Sequence, residues 1–369
     1  MSVAGTVVIA AGGTGGHIYP AIAVARVLEA RKVPIVWIGT REGLESRIVP
    51  DANIDIRFIN VSGLRGSGLK GLLSAPFKIF KASVQSIRIL SEVGASSVLG
   101  MGGFVSGPVG IAALLTRRVL VLHEQNAVVG MTNKWLGRLA TRVYSAMPNV
   151  FPEKVGAQAI GNPVRDSIES VGLRKVAAHT TGHKRTALRV LVIGGSRGAR
   201  ALNQVVPAAL QAVLEAFPTL ELQVWHQTGP ADQQSVKQAY EAVADKEKSI
   251  KVNAYIDDVT AAYAWADVII CRSGAMTVSE LSAAALPGVL VPYPHHSDNQ
   301  QTHNAKFLVD AGAAVLMPED QFNTTSLCTT LLKLIEKPNV LNEMSKAAQA
   351  LHKPDAAAVV ADALQEVRH

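Results

Sequence analysis

The chain has 369 residues, of which 48% are hydrophobic and 18% charged, and a formal net charge of +7. This composition excludes a disordered protein, and the length predicts two domains. Two cysteines, Cys271 and Cys328, are too few for a disulfide framework, so we expect a reducing compartment. The sequence has no signal-type leader and no apolar run of about 18 residues, which predicts a protein that is neither exported nor membrane-spanning. The positive charge predicts an anionic partner: nucleic acid, a phosphate-bearing substrate or a lipid surface.

The first predicted element is a buried β-branched strand, Thr6–Ala10, followed by the loop Gly12-Gly13-Thr14-Gly15-Gly16-His17. A helix is predicted over Ala21–Ala30. Glycines in such a loop allow close approach of an anion to backbone N–H groups, and the helix start adds partial positive charge. The loop therefore predicts a diphosphate site. His17 is not needed for phosphate binding alone, and an imidazole can act as a base near neutral pH.

The first half continues as alternating strands and helices, with strands predicted at 34–38, 56–61, 97–99, 119–122 and 142–145. A second glycine loop, Gly100–Pro108, follows one of these strands, and His123-Glu124-Gln125-Asn126 ends the next. Because loops at the carboxyl ends of parallel strands converge on one crevice, we expect these strand ends to share one site.

The stretch from Arg57 to Leu90 contains no acidic residue and mixes basic with apolar side chains. A helix beginning near Leu72 would bury one face and expose apolar and basic groups. This pattern predicts a monotopic membrane contact; ordinary core with a solvated face is the alternative. The residues expected at the contact are Lys70, Leu72, Leu73, Phe77, Lys78, Phe80 and Lys81.

The first half is expected to end at Gly161-Asn162-Pro163-Val164-Arg165, and part of 170–188 reads as a solvated loop or linker. The pattern then restarts with a strand at 187–193, a third glycine loop at 194–199 and a helix at 201–217. Further strands are predicted at 220–226, 250–254, 266–271 and 288–292. This weak repeat predicts an α/β protein with two doubly wound, Rossmann-like domains facing across a cleft.

The second half carries two polar segments. Cys271–Glu280 is predicted as a strand end, a turn and a helix start, with Glu280 placed to accept hydrogen bonds from sugar hydroxyls. The amides of the 298–305 loop suit a neutral sugar. His295, His296 and His303 suggest a metal cluster, but no Cys or carboxylate spacing supports one, and a solvated loop is favoured.

Seven blocks, in order, carry a resemblance that covers nearly the whole chain: GGTGGHIYP, MGGFVSGP, HEQN, GNPVR, GGSRGA, CRSGAMTVSE and QTHNA. Together they resemble the MurG family, the family 28 glycosyltransferases of peptidoglycan synthesis. The resemblance implies a GT-B fold and inverting transfer of N-acetylglucosamine from UDP-N-acetylglucosamine to the C4 hydroxyl of undecaprenyl-diphospho-muramoylpentapeptide. It implies an acceptor and membrane-contact domain at 1–163, a donor domain at 164–352, and a last helix, about 353–369, that returns to the first domain.

The resemblance also implies roles for single residues. Glu280 would bind the ribose, Ile256 would lie by the uracil, and Ser196 and Arg272 would contact the phosphates. Gln300 and Gln301 would bind the transferred sugar. The full set of expected donor-binding residues is Thr14, Gly15, Gly16, Asn126, Arg165, Ser196, Ile256, Arg272, Ala275, Met276, Thr277, Val278, Ser279, Glu280, Gln300 and Gln301.

The catalytic candidates implied are His17, as general base on the acceptor hydroxyl, and Glu124 as its rival, while His123 would orient the loop. Gly13, Gly102, Gly103 and Phe104 are expected at the acceptor diphosphate. The chain departs from the family pattern at Arg197, where glutamine is common, and at Phe104, where tyrosine is common. No Asp-x-Asp motif occurs, so no metal or other cofactor is expected.

The expected partners are UDP-N-acetylglucosamine, the lipid-linked acceptor and an anionic membrane surface. Other cell-wall synthesis proteins are candidate further partners, and nucleic acid is not expected as a partner. The expected location is the cytoplasmic face of the bacterial inner membrane, as a peripheral protein. Three other functions stay open. A dinucleotide oxidoreductase is disfavoured because the first loop is not G-x-G-x-x-G. A sugar-nucleotide epimerase would need no lipid, and a non-catalytic adaptor would bind sugar nucleotide without transfer.

Overall fold

The computed structural model describes residues 5–62, 68–177, 187–195, 198–241, 249–295, 298–337 and 339–366, with only the backbone for 68–74. The chain divides into two compact units. Unit 1 comprises Met1–Val164 and Lys353–His369, and unit 2 comprises Arg165–His352.

Unit 1 is built on a parallel sheet with the strand order β3-β2-β1-β4-β5-β6-β7. Its central strands are mostly buried and rich in valine, leucine, isoleucine and alanine, as expected for strands covered on both faces. The strands are β1 (Thr6–Ala10), β2 (Ile35–Gly39), β3 (Ile56–Phe58), β4 (Ala95–Gly100), β5 (Val119–Glu124), β6 (Arg142–Ser145) and β7 (Gln158–Ala159).

Helices cover both faces of this sheet and form two apolar clusters with it. Trp37, fully buried on one face, donates a hydrogen bond from Nε1 to the Ala11 carbonyl at 2.9 Å, which ties β2 to the end of β1. The helices of unit 1 are α1 (Gly15–Ala30), α2 (Glu45–Asp51), α3 (Gly68–Glu92), α4 (Gly103–Leu115), α5 (Met131–Leu136) and the C-terminal α14 (Ala356–Glu366).

Helix α14 joins the amino-terminal part of unit 1 across almost the whole length of the chain. Val360 and Leu364 lie in the same buried cluster as Val24 and Leu28 of α1. On the rim, Arg31 donates to the Asp362 carboxylate at 2.6 Å and to the Gln365 side chain at 2.8 Å. The last helix is thus part of the core of unit 1.

Unit 2 has a second parallel sheet, with the strand order β10-β9-β8-β11-β12-β13. Leu188, Val190 and Val192 point into its main apolar cluster. The strands are β8 (Ala187–Ile193), β9 (Glu221–Gln227), β10 (Ile250–Asn253), β11 (Val268–Cys271), β12 (Gly288–Leu290) and β13 (Ala314–Leu316). The helices are α6 (Asp166–Ala177), α7 (Arg200–Ala216), α8 (Gln233–Glu241), α9 (Val259–Trp265), α10 (Ala275–Ala283), α11 (Gln300–Val309), α12 (Thr324–Glu336) and α13 (Val340–Leu351).

The predicted α/β class, with two doubly wound parallel sheets, is confirmed. The sequence analysis missed the short strands β7 and β13, and α3 begins at Gly68, before the expected position near Leu72. Part of 170–188 was expected to be a loop or linker, and its first residues, up to Ala177, belong to α6. Ile168 and Val171 of that helix are buried at helical spacing, but they are followed by the basic residues Arg174 and Lys175, so the apolar pattern is short. Residues 178–186 lie outside the described residues.

The strands of each sheet are parallel, but the chain adds them first toward one edge of the sheet and then toward the other. The change of side lies between β1 and β4 in unit 1 and between β8 and β11 in unit 2. In open parallel sheets, ligands bind beyond the carboxyl ends of the strands at such a switch point. Both switch points carry the glycine loops found in the sequence. The topology therefore marks one candidate binding region in each unit.

Candidate active site

In unit 1, the glycine loops after β1 and β4 are packed against each other. Gly103 has φ +76°, and a Cβ at this residue would overlap the carbonyl oxygen of Gly12. Ser106 donates from Oγ to the Ala10 carbonyl at 2.8 Å, which fixes the second loop to the first strand. Helices α1 and α4 begin at these loops, so two helix N-termini lie at the switch point. The expected acceptor-diphosphate residues Gly13, Gly102, Gly103 and Phe104 are all in this region.

His17 lies in the first turn of α1 and is half-buried. Its Nδ1 is 2.7 Å from Oε1 of Gln125, which follows directly after β5. Gln125 is completely buried, as is His123 beside it. Burial lowers the pKa of His123 to about 4, so this imidazole is neutral at physiological pH. The motif His123–Asn126 therefore reaches the first glycine loop through Gln125, a residue that the sequence analysis did not single out.

Glu124, the rival base, has a different environment. Its side chain is 1% exposed, and both carboxylate oxygens accept hydrogen bonds. Oε1 accepts from the backbone and side-chain nitrogens of Asn126, each at 3.1 Å. Oε2 accepts from Gly130 N and Asn133 Nδ2, each at 3.0 Å. These contacts hold the loop between β5 and α5 and occupy both oxygens of Glu124.

Glu45 is a second residue that sequence reasoning missed. It is fully buried at the start of α2, and its carboxylate accepts hydrogen bonds from Thr40 N at 2.9 Å, Thr40 Oγ1 at 2.8 Å and Gly13 N at 3.1 Å. A Cβ at Gly12, Gly39 or Gly43 would overlap its side chain. Glu45 thus fixes the backbone of the first glycine loop. A glutamate following a glycine-rich β2 end was the available signal.

Unit 2 contains a cavity of about 480 Å³ at its own switch point, within the size range of small-molecule sites. It lies beside the N-terminus of α7, after β8, and the N-terminus of α10, after β11. Both helix dipoles direct partial positive charge toward it. The lining residues are Ile193, Gly194, Gly195, Gly198, Ala199, Arg200, Ala201, Arg272, Gly274, Thr277, Tyr293, His295, Gln301 and Glu319.

The third glycine loop approaches the end of β9 closely. Gly198 has φ +76°, and a Cβ there would overlap the carbonyl oxygen of Thr228. The same carbonyl accepts from Asn203 Nδ2 at 3.0 Å. This packing sets the start of α7 at the cavity wall and explains the glycine. Ser196, expected at the phosphates, and Arg197, one of the two departures from the family pattern, lie outside the described residues.

Arg272 enters the cavity from the end of β11. Its guanidinium donates to the carbonyls of Val291 and Pro292 at 3.2 and 3.0 Å and forms an ion pair with Glu319 at 2.5 Å. It also lies over the Tyr293 ring, 5.6 Å from the centroid. Glu319 and Tyr293 were not predicted. An arginine held by two carbonyls presents a fixed positive charge, as an anion site requires.

Glu280, expected at a ribose, lies one turn inside α10. Its Oε2 accepts from Tyr263 OH at 2.9 Å, and its Oε1 is 3.6 Å from the Arg165 guanidinium. Burial raises the pKa of Glu280, while Arg165 and Tyr263 partly offset that rise. Burial also raises the pKa of Tyr263 well above its usual value, so its hydroxyl stays protonated. The structure brings Arg165 and Glu280 together, and Tyr263 on α9 is an unpredicted partner.

The remaining donor candidates of unit 2 fall into two groups. Thr277 and Gln301 line the cavity, and Gln301 is held there because its Oε1 accepts from Tyr293 N at 2.9 Å. Val278, by contrast, is completely buried, and Ser279 is 7% exposed. Ala275 and Met276 of α10 and Gln300 at the start of α11 are buried or partly buried, and Ile256, which follows β10, is partly buried. Thr14, Gly15, Gly16 and Asn126 lie in unit 1.

The residues expected at the membrane contact all lie within α3. Phe77 and Phe80 are 72% and 66% exposed, and Lys78 and Lys81 are exposed beside them. The side chains of Lys70, Leu72 and Leu73 lie outside the described residues. Among the helices described here, none is long and apolar enough to cross a membrane.

The described residues include no group of three or more histidine, cysteine, aspartate or glutamate side chains that could hold a metal ion. His295 and His303 are exposed, and His296 is outside the described residues. Separately, the N-termini of α7 and α10 and the side chains of Arg200 and Arg272 contribute positive charge at the cavity of unit 2.

Residues 7–145 match the Glycosyltransferase family 28 N-terminal domain, and residues 189–360 match the Glycosyltransferase family 28 C-terminal domain. The chain belongs to glycosyltransferase family 28. These matches contain both switch points and every strand except β7 in whole or in part, so the family 28 domains coincide with the regions where the candidate residues cluster.

Individual relatives agree with this assignment. A protein of Alkalilimnicola ehrlichii named UDP-N-acetylglucosamine--N-acetylmuramyl-(pentapeptide) pyrophosphoryl-undecaprenol N-acetylglucosamine transferase is 46% identical over 366 residues, 98% of this chain and 99% of that protein. The crystal structure of MurG from Acinetobacter baumannii is 36% identical, with a TM-score of 0.82 over 98% of this chain and 99% of that one. The resemblance drawn from the motifs is confirmed.

The fold is shared more widely. UDP-GlcNAc 2-epimerase from Neisseria meningitidis, solved with UDP-GlcNAc bound, has a TM-score of 0.65 over 98% of this chain and 100% of that one, at 12% identity. This similarity concerns the fold alone.

Proposed function

We propose that this family 28 chain transfers N-acetylglucosamine from UDP-N-acetylglucosamine to the C4 hydroxyl of undecaprenyl-diphospho-muramoylpentapeptide. The near full-length similarity to transferases named for this reaction supports the choice of substrates. The structural observation that carries the proposal is the cavity of unit 2, where two helix N-termini and Arg272 converge at a switch point.

The donor occupies this cavity in the proposal. Its diphosphate accepts hydrogen bonds from the first N–H groups of α7 and α10, and Arg272 adds a charged donor. Glu280, kept in place by Tyr263, accepts hydrogen bonds from the ribose hydroxyls. Gln301 offers an amide to the transferred sugar, whose neutral hydroxyls need both donors and acceptors.

The acceptor is placed at the glycine loops of unit 1, with its diphosphate near Gly102 and Gly103 at the start of α4. His17 is the proposed general base. Its Nδ1 faces Gln125, and its Nε2 is the nitrogen left to take the proton of the C4 hydroxyl. Glu124 acts as a structural carboxylate because its oxygens are occupied by loop donors.

The proposed reaction is a single displacement. The C4 oxygen attacks the anomeric carbon as its proton passes to His17, the bond from that carbon to the UDP oxygen breaks, and the configuration inverts to β. Negative charge grows on the leaving diphosphate, where the helix N-termini and Arg272 stabilise it. The proposal includes no resident metal, and transfer is expected to persist in a chelator.

Membrane contact belongs to the proposal as well. Phe77 and Phe80 would enter the headgroup region of an anionic leaflet, while Lys78 and Lys81 would meet its negative charge. A peripheral position on the cytoplasmic face of the inner membrane follows, because that surface presents the lipid-linked acceptor. Contacts with other cell-wall synthesis proteins would occur there too.

Product analysis tests the chemistry of this proposal. The chain is incubated with UDP-N-acetylglucosamine and either the natural acceptor or an acceptor whose C4 hydroxyl is replaced by hydrogen. We expect transfer only to the natural acceptor and a β configuration in the NMR spectrum of the product. An α-linked product, or transfer to the deoxy acceptor, would contradict the proposed site and stereochemistry.

A further inference from the structure

We propose that Gln125 and His123 are positioning residues that set the tautomer of His17, with the proton on Nδ1 and a free lone pair on Nε2. The inference rests on the proposed role of His17 as base and adds the device that prepares it. The relevant atoms form one chain within unit 1, running from the Gly161 carbonyl through His123 and Gln125 to His17.

The orientation of the Gln125 amide comes first. Its Nε2 is 2.9 Å from the His123 carbonyl oxygen, and this oxygen can only accept a hydrogen bond. The amide nitrogen must therefore face His123. With the amide reversed, two oxygen acceptors would meet at that distance in a fully buried site. The backbone of Gln125 is anchored as well, because Asn162 donates to its carbonyl at 3.1 Å.

This orientation decides the state of His17. Gln125 Oε1 points to His17 Nδ1 at 2.7 Å, and an amide oxygen has no proton to donate. Nδ1 of His17 must therefore carry the proton. In a neutral imidazole only one nitrogen is protonated, so Nε2 keeps its lone pair. A base must present that lone pair to the acceptor hydroxyl.

His123, which lies between Gln125 and the Gly161 carbonyl, supports the same orientation of the Gln125 amide. Its Nε2 is 2.9 Å from the Gly161 carbonyl, so this nitrogen is the donor. Its Nδ1, 3.1 Å from Gln125 Nε2, then accepts the second amide hydrogen. Burial without a facing carboxylate keeps this ring neutral, in agreement with its lowered pKa. A charged His123 would place an N–H against the Gln125 NH₂ group and disrupt the chain.

A merely structural reading would assign Gln125 and His123 to core packing. That reading predicts a loss of stability when Gln125 is changed, but it makes no prediction about the nitrogens of His17. The two readings are therefore separated by the protonation of one ring.

Histidine ¹⁵N labelling of the full chain measures this property directly. A long-range ¹H–¹⁵N correlation spectrum at about pH 8, above the ordinary imidazole pKa, distinguishes the two neutral tautomers. A His17→Asn sample assigns the His17 signals. We expect a protonated Nδ1 and a bare Nε2 on His17. A protonated Nε2 on His17 in the unmodified chain would overturn the proposal, whether or not any variant folds.

Gln125→Met adds the causal test, since methionine keeps the side-chain length and removes the acceptor. We expect the two His17 nitrogen signals to move toward each other as both tautomers populate. The kcat should fall on the order of 10-fold while the donor KM stays within about twofold. Gln227→Met changes another buried glutamine, in unit 2, and should leave the His17 signals in place. Unchanged His17 signals in Gln125→Met would refute the proposal that Gln125 sets the His17 tautomer.

A transfer assay with the lipid-linked acceptor on the same unmodified sample separates this inference from the proposed function. A protonated Nδ1 on His17 together with no transfer would contradict the proposed function but agree with the proposed positioning role of Gln125 and His123. Transfer together with a protonated Nε2 on His17 would support the proposed function and refute the proposed positioning role of Gln125 and His123.

Discussion

Arg272 and Glu319 form an ion pair of 2.5 Å in the wall of the unit 2 cavity. The side chains are 13% and 29% exposed, so the pair is only partly screened by solvent. A carboxylate beside a diphosphate site opposes the charge of the ligand. In the proposed function, Glu319 therefore holds Arg272 in position and competes with the donor diphosphate for it.

Replacing Glu319 by glutamine should strengthen donor binding. The repulsion between carboxylate and diphosphate is removed, and Arg272 keeps its two carbonyl partners. We expect a gain of about 1 kcal/mol, roughly fivefold in the Kd of UDP measured by calorimetry. Asp320→Asn, the same charge change at the exposed neighbouring position, is the control. Weaker UDP binding by Glu319→Gln would mean that Glu319 acts mainly by orienting Arg272.

His17→Ala should affect catalysis and spare donor binding. Loss of a general base costs on the order of 10²- to 10⁴-fold in kcat. The Kd of UDP, measured by calorimetry, should stay unchanged because the proposed donor cavity is in unit 2. Glu124→Gln is the comparison, and it should lower the melting temperature through the loop that Glu124 holds while reducing kcat less than His17→Ala. The reverse order of kcat losses would make Glu124 the base.

Glu280→Gln should separate binding from stability. The amide presents a donor where Tyr263 OH also donates, and we expect UDP affinity to fall about tenfold. The difference in stability between Glu280→Gln and the unmodified chain should depend on pH. Because the folded-state pKa of Glu280 is raised, its favourable contribution is complete below the unfolded pKa and is lost as the pH rises through the folded pKa.

The melting temperature of Glu280→Gln relative to the unmodified chain should therefore increase from pH 4 to pH 7. Thermal unfolding monitored by circular dichroism at a series of pH values measures this difference. A difference that decreases over this range would contradict the raised pKa.

Glu45 should be sensitive even to its isosteric amide. All three of its partners are donors, namely Thr40 N, Thr40 Oγ1 and Gly13 N. Glutamine would set an NH₂ group against at least one of them in a fully buried site. We expect Glu45→Gln to lower the free energy of unfolding by about 1–3 kcal/mol in urea titrations. Glu42→Gln, on an exposed neighbour, should stay within about 0.5 kcal/mol. Equal values for the two variants would show that the Glu45 contacts contribute little.

Phe77→Ser combined with Phe80→Ser should weaken binding to vesicles that contain anionic lipid. Two exposed phenylalanines that enter the interface contribute about 1.5–3 kcal/mol each when fully buried, so the partition constant should fall more than tenfold. Lys78→Glu with Lys81→Glu should weaken vesicle binding at low salt. The difference from the unmodified chain should disappear at high salt because the lysines act through charge. Leu173→Ser is the control, because Leu173 is 65% exposed in unit 2. Cosedimentation unaffected by all of these changes would indicate a plain solvated face.

Much of the fold was accessible from the sequence because parallel strands buried on both faces are continuous apolar runs. The strands Arg142–Ser145 and Ala187–Ile193 have the predicted bounds. β7 and β13 are two and three residues long, too short for a periodic signal. Helix α6 was missed in part because Ile168 and Val171 give only one helical repeat of apolar residues before the basic Arg174 and Lys175.

The candidate site was accessible only where local motifs mark it. Glycine loops and the residues of the HEQN block are contiguous in sequence, so their chemistry can be inferred. Glu45, Tyr263 and Glu319 reach the sites through tertiary contacts. Glu45 follows a glycine-rich strand end, but Tyr263 and Glu319 have no local pattern, and only the folded chain shows which partners the three side chains meet.

The central claim is acceptor-dependent sugar transfer, and one assay addresses it directly. Radiolabelled UDP-N-acetylglucosamine is incubated with the chain in the presence and in the absence of lipid-linked muramoylpentapeptide. We predict label in the lipid fraction only when the acceptor is present. Label that stays in the nucleotide pool with an epimer formed in both tubes, or tight UDP binding without turnover, would contradict the transferase assignment.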